Sequence, residues 1–323
     1  MKAILYEKYG PPGVALQLKE VVKPVPVNHQ VLVKVRAASV NAKEWRGFTM
    51  PLFVMRLFAG GWSKPKDTTI GTDVAGVVEA VGENVTRFKP GDEVFGGAHG
   101  SFAEYTLARE AYLALKPANR SFEEAAAVPI AALTALQAIR YAGGIRPDQQ
   151  VLIQGASGGV GMYAVQLAKA SGAEVTAVCS ARNLDLAHSW GADHVVDYTK
   201  EDFTKSGRQY DLILAVNGYH SLWAYRRALK PQGVYVCAGG DMPQILQALF
   251  FAKWFSQKGG KTLGNMGFAK FNQDDLAHLG ELLQDGTIAP VIDRCYPLKE
   301  TAEAIRYVID AHAQSKVVIK VED

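Results

Sequence analysis

The sequence has few cysteines, and none is placed for a metal site or a disulfide framework. Cys179, Cys237 and Cys295 lie 58 residues apart each time, with no CxxC motif and no cysteine–histidine cluster. This spacing excludes a disulfide scaffold and a cysteine-rich zinc module. It also indicates a reducing compartment, so we expect a cytoplasmic protein.

Long hydrophobic runs are also missing. Glu7 and Lys8 interrupt the amino terminus before an apolar stretch reaches the length of a signal peptide. The two most apolar segments are Val128–Leu136 and Ile245–Phe255. Both are much shorter than the roughly 20 apolar residues of a membrane span. We predict a buried helix for each segment and no integral membrane segment.

Charge of one sign is not gathered into a block. The 323 residues include 35 Lys and Arg and 32 Asp and Glu, a formal net charge of +3. A nucleic-acid-binding protein usually concentrates its positive charge in a stripe, so we expect no nucleic-acid partner. With 48% hydrophobic and 21% charged residues, the composition is that of a globular protein with two domains.

The first 120 residues predict short strands separated by turns. Val31–Arg36 alternates apolar and polar side chains, and Val74–Val81 is a second apolar strand. Lys89–Asp92 contains a Pro–Gly turn ahead of a strand that begins at Glu93. This spacing predicts a partly open β-barrel or sandwich.

From about Ser121 the pattern changes to alternating strands and helices. Ser121–Glu124 is a capping box ahead of an alanine-rich helix. Five apolar runs follow, beginning at Val151, Glu174, His194, Asp211 and Val234. Their spacing, with helix-length segments between most of them, predicts βαβ units and a parallel sheet. A last alternating segment from Lys316 predicts a strand that returns to the first domain.

The strongest chemical signal is the segment Val151–Gly161, which runs from a buried strand through a glycine-rich turn into a helix. Its spacing is not GxGxxG, because Ala156 stands where the first glycine would be. Glycines here allow a tight turn and a close approach of the backbone to a pyrophosphate, and the helix amino terminus offers N–H groups. The strand–loop–helix context therefore predicts nucleotide binding.

The same loop also matches GxSxG, the nucleophile elbow of α/β-hydrolases, with Ser157 as the nucleophile. Asp285 or Asp293, followed by His312, would satisfy the chain order of a catalytic triad. Two features oppose this alternative: an elbow does not require Gly161, and no HGGG-like oxyanion segment precedes the loop. We keep the hydrolase as a minor alternative.

The end of the second strand of this region indicates which dinucleotide binds. An NAD site usually has Asp or Glu there, about 20 residues after the glycine loop, to bind the ribose hydroxyls. Here Ser180 and Arg182 follow the strand, and the first carboxylate is Asp185 in the next helix. A hydroxyl and a guanidinium suit a 2′-phosphate, because Arg donates charge-assisted hydrogen bonds in a fork. We therefore predict NADPH as the cofactor.

Together these motifs resemble the medium-chain dehydrogenase/reductase superfamily, and most closely its zinc-free quinone oxidoreductase branch (ζ-crystallin-like proteins and enone reductases). The resemblance covers nearly the whole chain and rests on the glycine loop and on segments 1–4, 37–41, 71–76, 89–95, 179–185 and 190–198. It implies an α/β protein with two domains. Residues 1–122 and 268–323 would form a GroES-like, mainly β catalytic domain. Residues 123–267 would form a Rossmann NADP-binding domain with a doubly wound parallel sheet.

The resemblance also bears on the chemistry. Zinc-dependent members have a cysteine near the position of Asn41 and a His-Glu pair where this chain has Thr72 and Asp73. A catalytic zinc needs three protein ligands, so we predict no metal site. The resemblance implies hydride transfer from NADPH to a hydrophobic quinone or α,β-unsaturated carbonyl. It places Asn41 beside the nicotinamide and substrate, and Arg46 near the substrate oxygen. An NADPH-binding protein with little turnover, in a sensor or structural role, is the alternative.

Further residues are assigned to the cofactor by the resemblance alone. It places Ser180 and Arg182 on the 2′-phosphate and Tyr198 next to the adenosine phosphate. It places Thr134 and the backbone near Asn217 and Gly239 beside the nicotinamide. The pyrophosphate would be bound by Ser157, Gly158, Gly159 and Val160.

Three apolar segments have roles that the sequence leaves open or that the resemblance supplies. Phe48–Trp62 is rich in aromatic residues and methionine, and we expect it to pack beneath a loop or to bind a hydrophobic substrate. Leu249–Phe255 could form a lid, a subunit contact or a membrane-touching patch. The resemblance implies a homodimer joined through the Rossmann sheets, with Lys261–Met266 as the candidate edge strand.

Overall fold

The computed structural model describes residues 1–49, 64–256, 260–310 and 313–321. The chain divides into two compact units. Unit 1 comprises Met1–Ile130 and Phe271–Asp323, and unit 2 comprises Ala131–Lys270. The domain boundaries expected from the sequence, at 122/123 and 267/268, stay a prediction beside this division.

The strands and helices are numbered in chain order. The strands are β1 (Lys2–Tyr6), β2 (Leu16–Glu20), β3 (Gln30–Ser39), β4 (Asp73–Val81), β5 (Glu93–Gly97), β6 (Tyr105–Arg109), β7 (Leu113–Leu115), β8 (Gln150–Gln154), β9 (Glu174–Cys179), β10 (His194–Asp197), β11 (Tyr210–Ala215), β12 (Leu229–Cys237), β13 (Thr262–Asn265), β14 (Ile292–Pro297) and β15 (Lys316–Lys320). The α-helices are α1 (Pro12–Ala15), α2 (Ala42–Thr49), α3 (Phe122–Ala126), α4 (Pro129–Tyr141), α5 (Gly159–Ala170), α6 (Leu184–Ser189), α7 (Leu222–Ala228), α8 (Met242–Ser256), α9 (Gln273–Asp285) and α10 (Thr301–Ile309). Short 3₁₀ helices cover Glu110–Tyr112, Ala181–Asn183, Phe203–Lys205 and Leu298–Glu300.

Unit 1 is built on a seven-stranded sheet that confirms the predicted β region. Its order is β14-β15-β3-β4-β5-β7, with β6 also paired to β3. The strands predicted from Val31, Val74 and Glu93 are β3, β4 and β5, and they pair antiparallel. β15 pairs antiparallel with β3, with Ile319 opposite Ala38. The last strand therefore returns to unit 1, as predicted.

Unit 2 is a six-stranded sheet in which every neighbouring pair is parallel. The strand order is β10-β9-β8-β11-β12-β13, so the winding direction reverses between β8 and β11. Leu152, Ile213 and Leu214 are fully buried, as expected for strands covered on both faces. The predicted doubly wound parallel sheet is confirmed, and in the described part of the chain β13 and β10 are its two edge strands.

Local signals also predict the start of α3 correctly. The Ser121 hydroxyl accepts a hydrogen bond from the Glu124 backbone N–H at 3.1 Å, and the Glu124 carboxylate accepts one from the Ser121 N–H at 2.9 Å. The capping box thus satisfies two N–H groups at the helix start. The segment Val128–Leu136 lies mostly in α4 and is largely buried, as predicted.

The second apolar segment, Ile245–Phe255, differs from its prediction. It lies in α8, whose buried residues are Gln244, Ala248 and Ala252. Ile245 and Phe255 pack partly on the core, but Leu249, Phe250 and Trp254 are exposed, so the prediction of a buried helix was wrong. Small residues face the sheet because they let the helix pack closely against it. Within the described parts of the chain, no helix has the length and apolar character to span a membrane.

Candidate functional site

The cofactor residues that the sequence predicts in unit 2 lie mostly at the carboxyl-terminal edge of its sheet, where the parallel strands end. Because the strands are parallel, their carboxyl ends share that edge. The residues follow β8 (Ser157, Gly158, Gly159, Val160), β9 (Ser180, Arg182), β10 (Tyr198), β11 (Asn217) and β12 (Gly239). The edge includes the reversal point between β8 and β11, where such sheets bind their ligands. Thr134 lies instead on α4, half-buried.

Two glycines of the loop after β8 are required by packing. Gly155 has φ +80°, and a Cβ there would lie 2.7 Å from the backbone nitrogen of Asn217. A Cβ on Gly161 would lie 2.2 Å from the carbonyl oxygen of Gly155. These residues therefore allow the tight turn and the close packing of α5 against β8.

Gly158 has a different environment. A Cβ at this position would meet only the Gly155 carbonyl oxygen, at 3.6 Å. Gly158 is the N-cap of α5 and contributes no side-chain hydrogen bond to the helix start. The first N–H groups of a helix have no intrahelical acceptors and carry partial positive charge. The backbone of Ser157–Val160 thus fits a pyrophosphate group.

The turn after β9 presents the two residues predicted for a 2′-phosphate. The hydroxyl of Ser180 accepts a hydrogen bond from the Asn183 side-chain amide at 3.1 Å, and Asn183 is itself buried. Arg182 lies exposed in the same 3₁₀ turn. The buried Asn183 amide therefore orients the Ser180 hydroxyl, and Arg182 is an exposed residue of the same turn.

Strand pairing brings another carboxylate to this edge. Asp197 ends β10 directly opposite Cys179, the last residue of β9. Its Oδ1 accepts hydrogen bonds from the Thr199 hydroxyl at 2.7 Å and the Thr199 N–H at 3.0 Å. These bonds, with Lys200 Nζ 3.7 Å from Oδ2, hold the pKa of Asp197 below its ordinary value. Sequence patterns point only to Asp185, because the β9–β10 pairing is not visible along the chain.

A buried polar network supports the loops after β8 and β11. The Tyr225 hydroxyl lies 2.6 Å from Gln154 Oε1 and 3.1 Å from Gln244 Oε1, and Gln244 also bonds the Tyr235 hydroxyl. Burial raises the pKa of both tyrosines, so the network stays uncharged. A Cβ on Gly218 would lie 2.6 Å from Gln154 Nε2, so the turn after β11 packs on this network. The only sequence signal for it is the polar Gln154 at the end of an apolar strand.

In unit 1, Asn41 lies between β3 and α2 with its side-chain amide engaged inside the unit. Its Nδ2 donates to Asp73 Oδ2 at 2.9 Å and to the Ser39 carbonyl at 3.3 Å. Its Oδ1 accepts a hydrogen bond from Lys316 Nζ at 2.5 Å. Both N–H bonds of the amide are thus used within the unit, and only the oxygen has a lone pair left.

The partners of Asn41 form a buried ion pair. Asp73 is 0% and Lys316 2% exposed, and Nζ lies 3.6 Å from Oδ2. Asp73 also accepts hydrogen bonds from the Ser39 hydroxyl at 2.8 Å and the Ile130 N–H at 3.0 Å. Burial raises the pKa of Asp73 and lowers that of Lys316. Lys316 was missed as a site residue, because its only sequence signal is a lysine at the start of an apolar strand.

Glu44 is a second buried carboxyl beside this pair. It accepts hydrogen bonds from the Thr72 hydroxyl at 2.6 Å and from the Asn41 N–H at 2.8 Å. Burial, reinforced by the charge of Asp73, raises the pKa of Glu44 to about 7. This carboxyl therefore changes its charge near neutral pH. We call Asn41, Glu44, Asp73 and Lys316 the buried cluster.

Arg46 lies in the last turn of α2 and is half-buried. Its guanidinium carbon is 5.6 Å from the ring centroid of Trp45. Phe48, on the same helix, packs edge-on against Tyr6 with centroids 5.3 Å apart. The rest of the predicted substrate segment, from Met50 to Trp62, lies outside the described residues.

The positions that correspond to zinc ligands do not fit a zinc ion. The amide of Asn41 is hydrogen-bonded to Lys316 and Asp73, and the Thr72 hydroxyl donates to Glu44. Amides and hydroxyls are not the cysteine, histidine or carboxylate ligands that zinc prefers. The ammonium of Lys316 would also repel a dication at Asp73. Within the described ranges, no group of three or more His, Cys, Asp or Glu is arranged to hold a metal.

Comparison with known proteins assigns the family. Residues 27–118 match the family model of the alcohol dehydrogenase GroES-like domain, and residues 190–319 match that of the zinc-binding dehydrogenases. The chloroplastic quinone-oxidoreductase QR1 of Triphysaria versicolor is 34% identical over 99% of this chain and 98% of its own length. The chain belongs to the quinone oxidoreductase branch of the medium-chain dehydrogenase/reductases.

Two further similarities bear on this family member. The 2-methylene-furan-3-one reductase of Solanum lycopersicum is 34% identical over 99% of this chain and 79% of its own length. The solved structure of Escherichia coli quinone oxidoreductase complexed with NADPH has a TM-score of 0.83 and 25% identity, covering 99% of this chain and 100% of that one. The chain is therefore an oxidoreductase with a GroES-like domain and a Rossmann-like sheet.

Family membership favours nucleotide binding over the nucleophile elbow for the loop at Ser157. The two carboxylates considered for a triad belong to unit 1 and bind other groups there. Asp285 accepts from the Thr287 N–H at 2.8 Å, and Asp293 accepts from the Tyr307 hydroxyl at 2.9 Å. His312 lies outside the described residues.

Proposed function

We propose that this protein reduces a quinone or an α,β-unsaturated carbonyl with NADPH, and that it does so without zinc. The observation that carries the proposal is the sheet edge of unit 2, where the α5 N-terminus and the Ser180–Arg182 turn lie on neighbouring strands. The names of the similar proteins support both substrate classes, since one acts on quinones and another on a furanone with a conjugated alkene.

In this proposal, different residues of the chain bind different parts of the cofactor. The backbone of Ser157, Gly158, Gly159 and Val160 binds the pyrophosphate, and Tyr198 neighbours the adenosine phosphate. Ser180 and Arg182 bind the 2′-phosphate, which has close to two negative charges. Thr134 and the backbone at Asn217 and Gly239 face the nicotinamide. When bound, NADPH supplies a hydride.

In this proposal, unit 1 contributes the groups that bind and orient the substrate. Hydride addition to the β-carbon of an enone leaves an enolate, which a nearby cation stabilises and a proton from solvent quenches. Arg46 is the proposed donor to the substrate oxygen. Asn41 differs from an oxyanion donor, because its N–H bonds already serve Asp73 and Ser39. We therefore assign Asn41 a positioning role, with its oxygen as the group that can still accept a hydrogen bond.

Measurement of NADPH oxidation with a panel of quinones and enones tests this function. We expect turnover with at least one class and no change on addition of zinc or a chelator. Alcohol oxidation that a chelator abolishes would contradict the proposal. Tight NADPH binding without turnover across the panel would favour the sensor or structural alternative. Covalent labelling of Ser157 by a fluorophosphonate would reveal a hydrolase.

We also propose a homodimer joined through the edges of the two Rossmann sheets. Its support is the position of β13, which pairs with β12 on one side and lies at the end of the sheet in the part of the chain that the structure describes. An unpaired edge is a surface that a twofold partner can cover. Light scattering at micromolar concentration should give the mass of a dimer, and a monomer would contradict it. A cytoplasmic location stays a prediction.

A further inference from the structure

Helix α8 exposes large apolar side chains along one side. Leu249, Phe250 and Trp254 are 63%, 68% and 65% exposed, and Met242 and Leu246 are also exposed. Met242, Leu246, Phe250 and Trp254 follow one another at intervals of four residues, and Leu249 lies three residues after Leu246, the spacing of one helix face. Phe251, at 56% exposure, extends the face sideways. We call this set the α8 apolar face.

The opposite side of α8 is fixed in place. Gln244, Ala248 and Ala252 are buried against the sheet, and Gln244 is part of the buried tyrosine–glutamine network. Phe255 packs edge-on against Trp223 of α7, with ring centroids 4.7 Å apart. The helix therefore cannot rotate to bury its aromatic residues without breaking these contacts. A contiguous exposed apolar face of this kind marks an interaction surface.

The sequence around α8 contains more cations than acids. Residues 212–273 contain seven Lys and Arg residues and a single acid, Asp241, for a net charge of +6. One of the seven, Lys230, forms an ion pair at 2.8 Å with Asp211, just before this range. The rest of the chain has a net charge of −3. Lys253 is exposed on α8 itself, three residues after Phe250 and one before Trp254.

Two more cations lie at the carboxyl end of α8. Arg226 Nε donates to the Phe255 carbonyl at 3.2 Å, and Lys261 Nζ donates to the Arg226 carbonyl at 2.9 Å. These hydrogen bonds place both positive groups beside the helix end. The apolar face is thus bordered by three cations: Lys253 on α8, and Arg226 and Lys261 at its carboxyl end.

We propose that α8 docks this protein on an anionic lipid surface, with its aromatic residues in the interfacial region and with Lys253, Arg226 and Lys261 at the phosphates. Helices that lie in this region combine large apolar side chains with Lys or Arg. Basic residues add attraction to anionic headgroups. With 15 residues, α8 spans only about 22 Å, less than the roughly 30 Å of a bilayer core. It would lie along the surface and not cross it.

Charge also distinguishes this occupant from a second copy of the chain. Two α8 apolar faces packed together would bring the Lys253 ammonium of each copy into the same apolar contact, and like charges across an interface weaken association. The same positive charges instead strengthen binding to an anionic surface. The proposal therefore commits to lipid and makes self-association an outcome of the test.

Flotation of the full chain with vesicles tests the proposal. We expect binding to vesicles of mixed phosphatidylglycerol and phosphatidylcholine, release at high salt, and little binding to phosphatidylcholine alone. Trp254 fluorescence should shift to the blue on binding, since the indole leaves water. Absence of binding to the anionic vesicles overturns the proposal.

Paired variants identify the residues responsible. Phe250→Ser with Trp254→Ser should weaken vesicle binding at least about tenfold, because the inserted area is lost. Lys253→Gln with Lys261→Gln should weaken binding only to anionic vesicles, by about fivefold per charge. Val22→Ser with Val25→Ser removes two exposed apolar residues from unit 1 and should change nothing. Equal binding by all three variants overturns the proposal.

Two further readouts separate lipid docking from a subunit interface and from the reductase reaction. If wild type scatters light as a dimer, the Phe250→Ser/Trp254→Ser variant as a monomer, and neither binds vesicles, α8 is a subunit interface and the proposal is wrong. NADPH oxidation in the absence of vesicles should be the same for wild type and variants. Failure of the proposed reductase function would leave the vesicle result unaffected.

Discussion

In unit 1, Asn41, Asp73 and Lys316 bind one another in the interior, whereas in unit 2 the Gly158 turn and Arg182 lie at the surface of a sheet edge. The buried cluster uses its donors and acceptors to define one arrangement of three distant chain segments. The sheet edge instead presents backbone and guanidinium groups toward solvent. Buried polar groups that bind one another specify structure, while groups that a helix end leaves unpaired can specify a ligand.

The largest effect is expected from breaking the buried cluster. Lys316→Met should destabilise the protein by about 3–5 kcal/mol, because it leaves the carboxylate of Asp73 buried without its ammonium partner. Urea denaturation measures the change. Lys320→Met is the matched control, since Lys320 pairs with Glu123 at the surface at 2.8 Å. It should cost less than about 1 kcal/mol, and equal losses in the two variants would contradict the role of the cluster.

The glycine loop of unit 2 offers a similar pair of variants. Gly161→Ala should cost about 3 kcal/mol, because its Cβ would meet backbone atoms of Gly155 and Ala156 that cannot move freely. Gly158→Ala has space for its Cβ and should cost less than about 1 kcal/mol while weakening NADPH. Thermal denaturation and cofactor titration report the two effects. If Gly158→Ala unfolds the protein as readily, the loop is not open at that position.

Glu44 should make the stability of unit 1 depend on pH. Its pKa is about 7 in the folded chain and 4.5 as an isolated group. Below pH 4.5 the carboxyl is protonated in both states; between pH 4.5 and 7 the unfolded chain ionises first, so wild type loses stability as pH rises through this window. Glu44→Gln should remove this loss, on the order of 3 kcal/mol. Parallel stability curves for the two proteins from pH 4 to pH 8 would refute it.

The smallest free-energy change is expected in cofactor binding at Arg182, and it is the one that tests the cofactor preference most directly. Arg182→Ala should weaken NADPH roughly 10- to 150-fold and leave NADH unchanged, because hydrogen bonds to a charged phosphate contribute about 1.5–3 kcal/mol. Fluorescence titration of both cofactors measures the preference. Arg208→Ala, just before the amino end of β11 and so toward the opposite edge, is the control. Equal binding of NADH and NADPH by wild type, or equal losses in the variant, would contradict the 2′-phosphate site.

Local patterns predicted the elements that depend on neighbours in the chain. The strand that became β8, the glycine loop after it and the capping box at Ser121 are each determined by adjacent residues. The edge position of β13 was predicted from the resemblance and is confirmed by the sheet order. These features account for the fold class and for the candidate pyrophosphate contacts.

Features that depend on distant pairing were missed. Lys316 bonds Asn41 across 275 residues, and Asp197 reaches the candidate cofactor edge only because β10 pairs with β9. The burial of α8 was predicted wrongly for another reason. Its sequence is apolar on every side, so periodicity does not distinguish the face on the sheet from the face in water.

The return of β15 to β3 has a consequence for synthesis of the chain. All of unit 2, residues 131–270, emerges from the ribosome after Asn41 and Asp73 and before Lys316. The parallel sheet can therefore fold before Lys316 is available to bind the Asn41 amide and the Asp73 carboxylate. Until then, β3 exposes the edge that β15 later covers. Unit 1 is thus the half of the protein that needs protection longest, although its first strands are made earliest.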